Sequence, residues 1–461
     1  MKQFDAIVIG SGQGGTPLAK KLAKAGWQTA LIEKRAIGGT CINDGCTPTK
    51  AMIASAKAAY TIQNSASLGV FTQPAAVDIK KIVARKNEIV RSFRESSEKS
   101  LRETANLTLI EGEAFFSGKK LLTVNLRDGG TAALSADKIF LNVGATTNIP
   151  PVEGLKNVPY YTSTTLLDVE EIPRHLVILG GNYIGLEYGQ MFKRFGSQVT
   201  ILERSARILL HEDEDIAQSV KEILEQEDIH IHTNSSAQKI IQHPDHTLEI
   251  TFTTNDTINI ITASHLLVAT GRTPQTAALQ LHKTGVDMDD KGYIRVNDQL
   301  ETNVPGIYAL GDVKGGPAFT HISYNDYIIL SENLLEHAGV SIKDRPVPYC
   351  MFTDPQLGRI GLTEQAAREK GYAVKVALIS MDKVARAIET GQTQGCMKAV
   401  VNADTDELLG AAILGSEGGE VMSVLQMAMQ GHITCKQLKK NVFAHPLYAE
   451  SINNLFMKLD K

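Results

Sequence analysis

The sequence predicts an α/β protein: two Rossmann-like dinucleotide-binding domains followed by a C-terminal α+β domain. Three observations carry this. A strand–glycine turn–helix–strand unit opens the chain, and a second begins near Pro173. After the Pro-rich stretch Arg345-Pro346-Val347-Pro348 the pattern changes to alternating strands with a helical segment around Met422–Met429. A chain of 461 residues, at about 150 per domain, has room for about three. The expected segments are 1–150 and 267–343 for the first dinucleotide domain, 151–266 for the second and 344–461 for the third.

Composition excludes several classes. With 43% hydrophobic residues the chain can bury cores and is not disordered. Lys and Arg total 47 against 51 Asp and Glu, a balance that does not suit a phosphate backbone, so no nucleic-acid partner is expected. No apolar run is long enough to span a bilayer, and Met1-Lys2-Gln3-Phe4-Asp5 lacks a signal-peptide pattern. Five cysteines are too few and too odd a set for a secreted disulfide framework. The expectation is a cytoplasmic multidomain enzyme with no membrane partner.

The first unit runs from the strand Asp5–Ile9 through Gly10-Ser11-Gly12-Gln13-Gly14-Gly15 to a helix over 17–24, stopped by Gly26, and the strand Gln28–Ile32 ending at Glu33. Gly10 permits the tight turn, Gly12 lets a pyrophosphate reach the backbone, and Gly15 allows close helix–strand packing. The helix N-terminus offers N–H groups to phosphate, and Glu33 stands where a ribose would donate. A helix-rich stretch (47–103) and a strand-rich one (107–143) follow, ending before Gly144.

The second unit repeats the pattern: His175–Leu179, then Gly180-Gly181-Asn182-Tyr183-Ile184-Gly185, a helix to Phe195, and Gln198–Leu202 ending at Glu203. Asn182 replaces the middle glycine, which should hold the pyrophosphate further off or engage it by hydrogen bond. Glu203 would repel a 2′-phosphate and favours NADH, whereas Arg204 and Arg207 would accommodate NADPH; NADH is the expectation. A flavin in one fold and a nicotinamide in the other would make a hydride relay.

Gly38-Gly39-Thr40-Cys41-Ile42-Asn43-Asp44-Gly45-Cys46-Thr47-Pro48-Thr49-Lys50 is the most informative segment. No second pair of ligands at short spacing accompanies the cysteines, so no metal is expected. Thr47 as N-cap and Pro48 as first helical residue would put Cys46 just before a helix, where a thiolate is favoured. The dipole contributes at most about 2 kcal/mol, so a neighbouring cation or electron-poor ring must help. Cys350, Cys396 and Cys435 are expected in or near the core, and His211-Glu212-Asp213-Glu214 as a solvated acidic patch.

These motifs, with Tyr183-Ile184-Gly185-Leu186-Glu187, Ala269-Thr270-Gly271-Arg272, Ala309-Leu310-Gly311-Asp312 and His445-Pro446-Leu447-Tyr448-Ala449-Glu450, make the whole chain resemble the pyridine nucleotide-disulfide oxidoreductases, the group of glutathione reductase, dihydrolipoamide dehydrogenase and mercuric reductase. The resemblance implies FAD in the first fold, with Gly39, Thr40, Gly144, Gly271, Gly311 and Asp312 among its contacts, and NADH or NADPH in the second. It implies that Cys41 attacks substrate, Cys46 faces the flavin, Lys50 lies near the flavin and pairs with Glu187, and Tyr183 gates the nicotinamide pocket. His445, oriented by Glu450, would serve Cys41 of the other subunit, making the enzyme a homodimer through its third domain. Independently of the resemblance, a carboxylate five positions from a histidine can fix its tautomer.

The substrate expected is a small disulfide or a thiol-reactive oxidant such as hypothiocyanous acid. Dihydrolipoamide dehydrogenase and mercuric reductase are the alternatives. The former usually has a different run around the cysteines from the Asp44 and Thr47 seen here; the latter carries a vicinal cysteine pair near its C-terminus, where Asn453–Lys461 has none. A flavin oxidase would use one redox cysteine, and a non-catalytic flavoprotein would tolerate losing Cys41, Cys46 or His445.

Overall fold

The computed structural model describes every residue except Pro74 and Lys461, the last residue of the expected third segment. The chain divides into two units. One comprises Met1–Ala51, Val83–Asn148 and Gly271–Arg345; the other comprises Met52–Ile82, Ile149–Thr270 and Pro346–Lys461.

In the first unit, β1 (Lys2–Ile9) leads through the glycine turn to α1 (Gly15–Lys24) and β2 (Thr29–Glu33). Then come α2 (Gly39–Asn43), α3 (Cys46–Asn64), α4 (Ile79–Arg102), β3 (Leu107–Gly118), β4 (Leu121–Leu126), β5 (Thr131–Leu141) and β6 (Ala145–Thr147), α3 and α4 each being divided by the unit boundary. β1 pairs in parallel with both β2 and β5, so its second half, Ala6–Ile9, is buried on both faces and reads as an unbroken apolar run. Successive residues serve opposite faces: Ala6 and Val8 pack with Leu18 and Leu22 of α1, Ile7 and Ile9 with Phe116 and Ile139. β3 pairs with β2 through Glu111 and then with β4 from Gly112, so one strand serves both the parallel sheet and an antiparallel meander.

The second unit contains β7 (His175–Leu179), α5 (Tyr183–Phe195), β8 (Gln198–Leu202), α6 (Glu214–Gln226), β9 (Ile229–His232), an antiparallel sheet of β10 (Ser235–Gln242), β11 (Leu248–Thr254) and β12 (Thr257–Ala263), and β13 (His265–Val268). Its parallel sheet has the order β13-β7-β8-β9, the counterpart of β5-β1-β2-β3.

The chain returns to the first unit with β14 (Arg272–Pro274), β15 (Ile307–Ala309), which extends the sheet beside β5, and α7 (Thr320–Leu335). The rest of the second unit is a five-stranded antiparallel sheet with flanking helices. It comprises β16 (Tyr349–Met351), β17 (Gln356–Gly361), α8 (Glu364–Glu369), β18 (Val374–Ser380), α9 (Ala385–Glu389), β19 (Cys396–Asn402), β20 (Leu408–Gly415), α10 (Gly418–Gln430), α11 (Cys435–Lys440) and α12 (Ser451–Met457). Among the described residues no helix is long and apolar enough to cross a membrane.

Two expectations need correction. α3 begins at Cys46 itself, so Thr47 is not its N-cap and Cys46 sits inside the first turn. The acidic run is not a solvated patch either, since Glu212 and Asp213 are buried on Arg359 of β17, at 2.6 and 3.1 Å. Lys398 of β19 extends the network to Asp213, Asp215 and Glu364. Charged groups can be buried only with such partners.

Candidate active site

The glycine turn after β1 is built by close approach. Gly10 has φ +101°, and a Cβ there would lie 2.4 Å from the Asn142 carbonyl oxygen. A Cβ on Gly15 would lie 2.1 Å from the Gly10 carbonyl oxygen, and one on Gly12 2.9 Å from Asn142 Nδ2. Asn142 Nδ2 donates to the Gly10 carbonyl at 3.2 Å, so one asparagine at the end of β5 braces the loop. The N-cap of α1 is Gly14, which offers no side-chain cap. The Thr16 N–H donates to the Gly12 carbonyl at 3.1 Å and Pro17 carries no N–H, so what the start of α1 offers a pyrophosphate is chiefly its dipole and a turn free of side chains.

Glu33 Oε2 accepts from the Ser11 backbone N–H (2.9 Å) and hydroxyl (2.7 Å), and its Oε1 accepts from the Arg35 N–H (2.8 Å). Ser11 Oγ in turn accepts from the Gly38 N–H at 3.1 Å. A Cβ on Gly39 would stand 2.7 Å from Gly12 Cα, so the cysteine segment is pressed onto the glycine loop. Further along, Gly144 (φ +70°) and Gly271 (φ +104°) have open space where a Cβ would be.

α2 carries Cys41 and α3 starts with Cys46. Asn43 Nδ2 donates to the Ile37 and Gly39 carbonyls, and Arg94 holds Asn43 Oδ1 at 2.8 Å, which fixes the turn. Asp44 pairs with Arg35. Cys41 and Cys46 share a side-chain hydrogen bond. That bond, with burial and the charge of Cys46, pushes the Cys41 thiol well above its ordinary range; Thr320 and Lys50 oppose the shift. Cys46 Sγ lies 3.3 Å from Thr320 Oγ1, at the start of α7.

Asp312 follows β15 after Gly311, whose N–H donates to the buried Asp326 at 2.8 Å. Burial pushes the Asp312 carboxyl up, and Arg272, 3.4 Å away, opposes this. Arg272 Nε is buried without a hydrogen-bond partner among the described residues. An unsatisfied guanidinium donor beside a half-buried carboxylate, a helix start with no side-chain cap and glycines with no room for a side chain together fit a bound dinucleotide.

In the second unit the same construction recurs. A Cβ on Gly180 (φ +110°) would lie 2.5 Å from the Ala269 carbonyl oxygen, and one on Gly185 2.0 Å from the Gly180 carbonyl oxygen. Asn182 is the N-cap of α5, its Oδ1 accepting from the Tyr183 N–H at 2.9 Å. Glu203 accepts from the Gly181 N–H (2.7 Å) and the Ser205 N–H (2.8 Å). Arg204 is exposed, whereas Arg207 Nη2 is turned onto the Leu210 and Glu212 carbonyls. The Tyr183 ring lies 5.2 Å from that of Tyr349, and burial pushes its phenol up. Glu187 is buried and accepts from the Phe352 N–H at 2.8 Å. His445 Nδ1 is 2.9 Å from Glu450 Oε2, and the imidazole is exposed.

The first unit thus gathers Gly10, Gly12, Gly15, Glu33 and Gly39 around one loop and joins Cys41 to Cys46. The second gathers Gly180, Gly185 and Glu203, and joins His445 to Glu450. Lys50 is in electrostatic reach of Cys41. The sequence reading missed Asn142 and Thr320: an asparagine inside an apolar strand and a threonine 274 positions from its cysteine carry no local signal.

Residues 4–326 match the family described as pyridine nucleotide-disulphide oxidoreductase, and residues 347–456 its dimerisation domain. The chain is 37% identical over 460 residues to the probable pyridine nucleotide-disulfide oxidoreductase RclA of Escherichia coli K12, with 99% of each covered. It is 34% identical to a mercuric reductase of Staphylococcus aureus, spanning 99% of this chain and 83% of that one. A dihydrolipoyl dehydrogenase of Thermus scotoductus is 33% identical, with 98% and 96% covered. The solved structure of the HOCl-induced flavoprotein disulfide reductase RclA from Escherichia coli superimposes with a TM-score of 0.89 at 36% identity, covering 98% and 99% of the two chains.

Proposed function

The chain belongs to the pyridine nucleotide-disulphide oxidoreductase family, and on that premise we propose that it reduces a small disulfide or a thiol-reactive oxidant, of which hypothiocyanous acid is one, at the Cys41–Cys46 pair. It is an FAD-dependent oxidoreductase that acts with NAD(P)H. Bound FAD supplies the route by which a hydride equivalent from the nicotinamide becomes an electron pair for the disulfide. Gly10, Gly12, Gly15, Glu33, Gly39, Thr40, Gly144, Gly271, Gly311 and Asp312 would hold it. Gly180, Tyr183, Gly185, Glu203 and Arg204 would hold the nicotinamide nucleotide, NADH in preference to NADPH. Lys50 would lie near the flavin, and Glu187 would serve on the side of the nicotinamide nucleotide.

The chemistry falls to four side chains. Cys41 Sγ attacks a substrate sulfur, forming a mixed disulfide and expelling a thiolate. His445 removes the Cys41 proton and delivers it to the leaving group; Glu450 holds Nδ1 and leaves Nε2 for the transfer. Cys46 Sγ then attacks Cys41 Sγ, releasing the second half of the substrate and restoring the internal disulfide. Each turnover thus reduces one disulfide to two thiols at the expense of one NAD(P)H and one proton. His445 would act on the cysteine pair of the other subunit in a cytoplasmic homodimer, for which the dimerisation-domain match is the support.

One observation carries the division of labour: Cys46 opens the 19-residue helix α3, where a thiolate is favoured, while Cys41 lies on the short α2, where its hydrogen bond to Cys46 and its burial push the thiol up. On this reading Cys46 carries the charge, and Cys41 keeps a proton that a base must take. The test is anaerobic and aerobic NADH and NADPH oxidation by the purified holoenzyme with hypothiocyanous acid, oxidised glutathione, lipoamide and Hg(II). A high specificity constant for hypothiocyanous acid or oxidised glutathione supports the reading. A preference for lipoamide would keep the disulfide chemistry and select the dihydrolipoamide dehydrogenase alternative; a preference for Hg(II), or oxygen-dependent turnover alone, overturns the reading.

A further inference from the structure

We propose that Thr320 fixes the negative charge of the reduced cysteine pair on Cys46, which makes it a third member of the redox centre. The inference rests on the disulfide chemistry proposed above.

Opening the Cys41–Cys46 disulfide with two electrons and one proton leaves one thiol and one thiolate. Covalent structure does not decide which sulfur keeps the proton; the surrounding donors do. Thr320 Oγ1 is 3.3 Å from Cys46 Sγ, and its hydroxyl is also within hydrogen-bonding reach of Cys41. A hydroxyl has one proton to give. Given to Cys46, it joins the Cys41 S–H as a second donor to the same sulfur, and the pair settles as Cys41 thiol and Cys46 thiolate. Given to Cys41, it would favour the reverse.

Helix geometry selects the first arrangement. Cys46 is the first residue of α3 and Thr320 the first of α7, helices of 19 and 16 residues. Phe319, the N-cap of α7, provides no side-chain hydrogen bond, so no side-chain acceptor competes for that helix start. Two long helices thus begin at one sulfur, and both dipoles favour an anion there. Lys50 on α3 also acts on Cys41 through its charge, but it is not a hydroxyl donor shared between the two sulfurs.

The test uses the holoenzyme, reduced anaerobically with one equivalent of NADH and titrated with pH while the long-wavelength thiolate–flavin absorbance is followed. In Thr320→Val the pH midpoint of the band should rise by about one to two units, as expected for loss of a hydrogen bond to a charged group. Thr320→Ser should restore the wild-type midpoint. Thr320→Ala is titrated alongside, because it adds no branched bulk at the start of α7. An unmoved midpoint in either flavin-loaded variant overturns the role of Thr320 and leaves the disulfide reading intact. A wild-type enzyme with no band at any pH overturns both.

Discussion

Glu33 and Glu203 hold their two β–α–β units with the same pair of backbone hydrogen bonds. Each carboxylate accepts from an N–H 22 positions earlier in its glycine turn, and from an N–H two positions later in its own loop. The bonds clamp the glycine turn to the end of the second strand and fix the carboxylate where a ribose would meet it.

That placement predicts a nicotinamide preference. With the nucleotide bound as proposed, Glu203 would put a fixed negative charge at the ribose, while Arg207 is turned onto two carbonyls, which would leave Arg204 to favour a 2′-phosphate. Wild-type enzyme should show the higher kcat/KM with NADH. In Glu203→Ser the preference should fall by about tenfold or more, from loss of roughly 1.4 kcal/mol of discrimination. Steady-state kinetics with both nucleotides checks this.

Gly15→Ala tests the flavin loop. The added methyl group would lie 2.1 Å from the Gly10 carbonyl oxygen, so α1 must move away from β1. The expected cost is about 1–3 kcal/mol, with loss of bound flavin. The visible-to-ultraviolet absorbance ratio of the purified protein and its thermal midpoint should both fall.

The cysteines should separate cleanly. Cys46→Ser should abolish the long-wavelength band of the reduced enzyme, whereas Cys41→Ser should retain it. Both should stop disulfide turnover.

His445→Gln should lower kcat/KM by about 10²–10⁴-fold at neutral pH. Because the Cys41 thiol is raised, it stays protonated there without a base, and its thiolate fraction grows only as pH increases. The pH profile of the variant should therefore climb through the alkaline range where the wild type is flat.

Arg359→Met should destabilise the second unit by about 3–5 kcal/mol, because Glu212 would remain buried without its ion-pair partner and Asp213 would keep only Lys398. Burial already pushes the Glu212 carboxyl up. A raised carboxyl destabilises the fold as pH rises through its folded pKa, so the thermal midpoint of the variant should recover as pH is lowered. Adding Glu212→Gln should restore part of it at neutral pH.

Much of this was readable from local pattern. The strand His175–Leu179 and its neighbour Gln198–Leu202 have the bounds their apolar runs imply, since a parallel strand buried on both faces leaves little else for such a run to be. The glycine loops and the cysteine segment carry their chemistry within a few residues. What could not be read depends on distant partners. Glu212 and Asp213 look solvated because nothing nearby neutralises them; Arg359 does so from 147 and 146 positions away. Asn142 looks like a blemish in a strand until Gly10 is brought beside it, and Thr320 looks like any threonine until α7 is laid against the cysteines.

The N-caps of α1 and α5 have opposite consequences for how long a nucleotide stays. α5 is capped by its own Asn182. A phosphate arriving there would share the helix start with that amide oxygen, which weakens its hold, as suits a co-substrate exchanged at every turnover. α1 starts at a bare glycine, so no side chain stands between its positive end and a bound phosphate, as suits a ligand that stays. The side chain at one helix start and its absence at the other thus separate a visitor from a permanent resident.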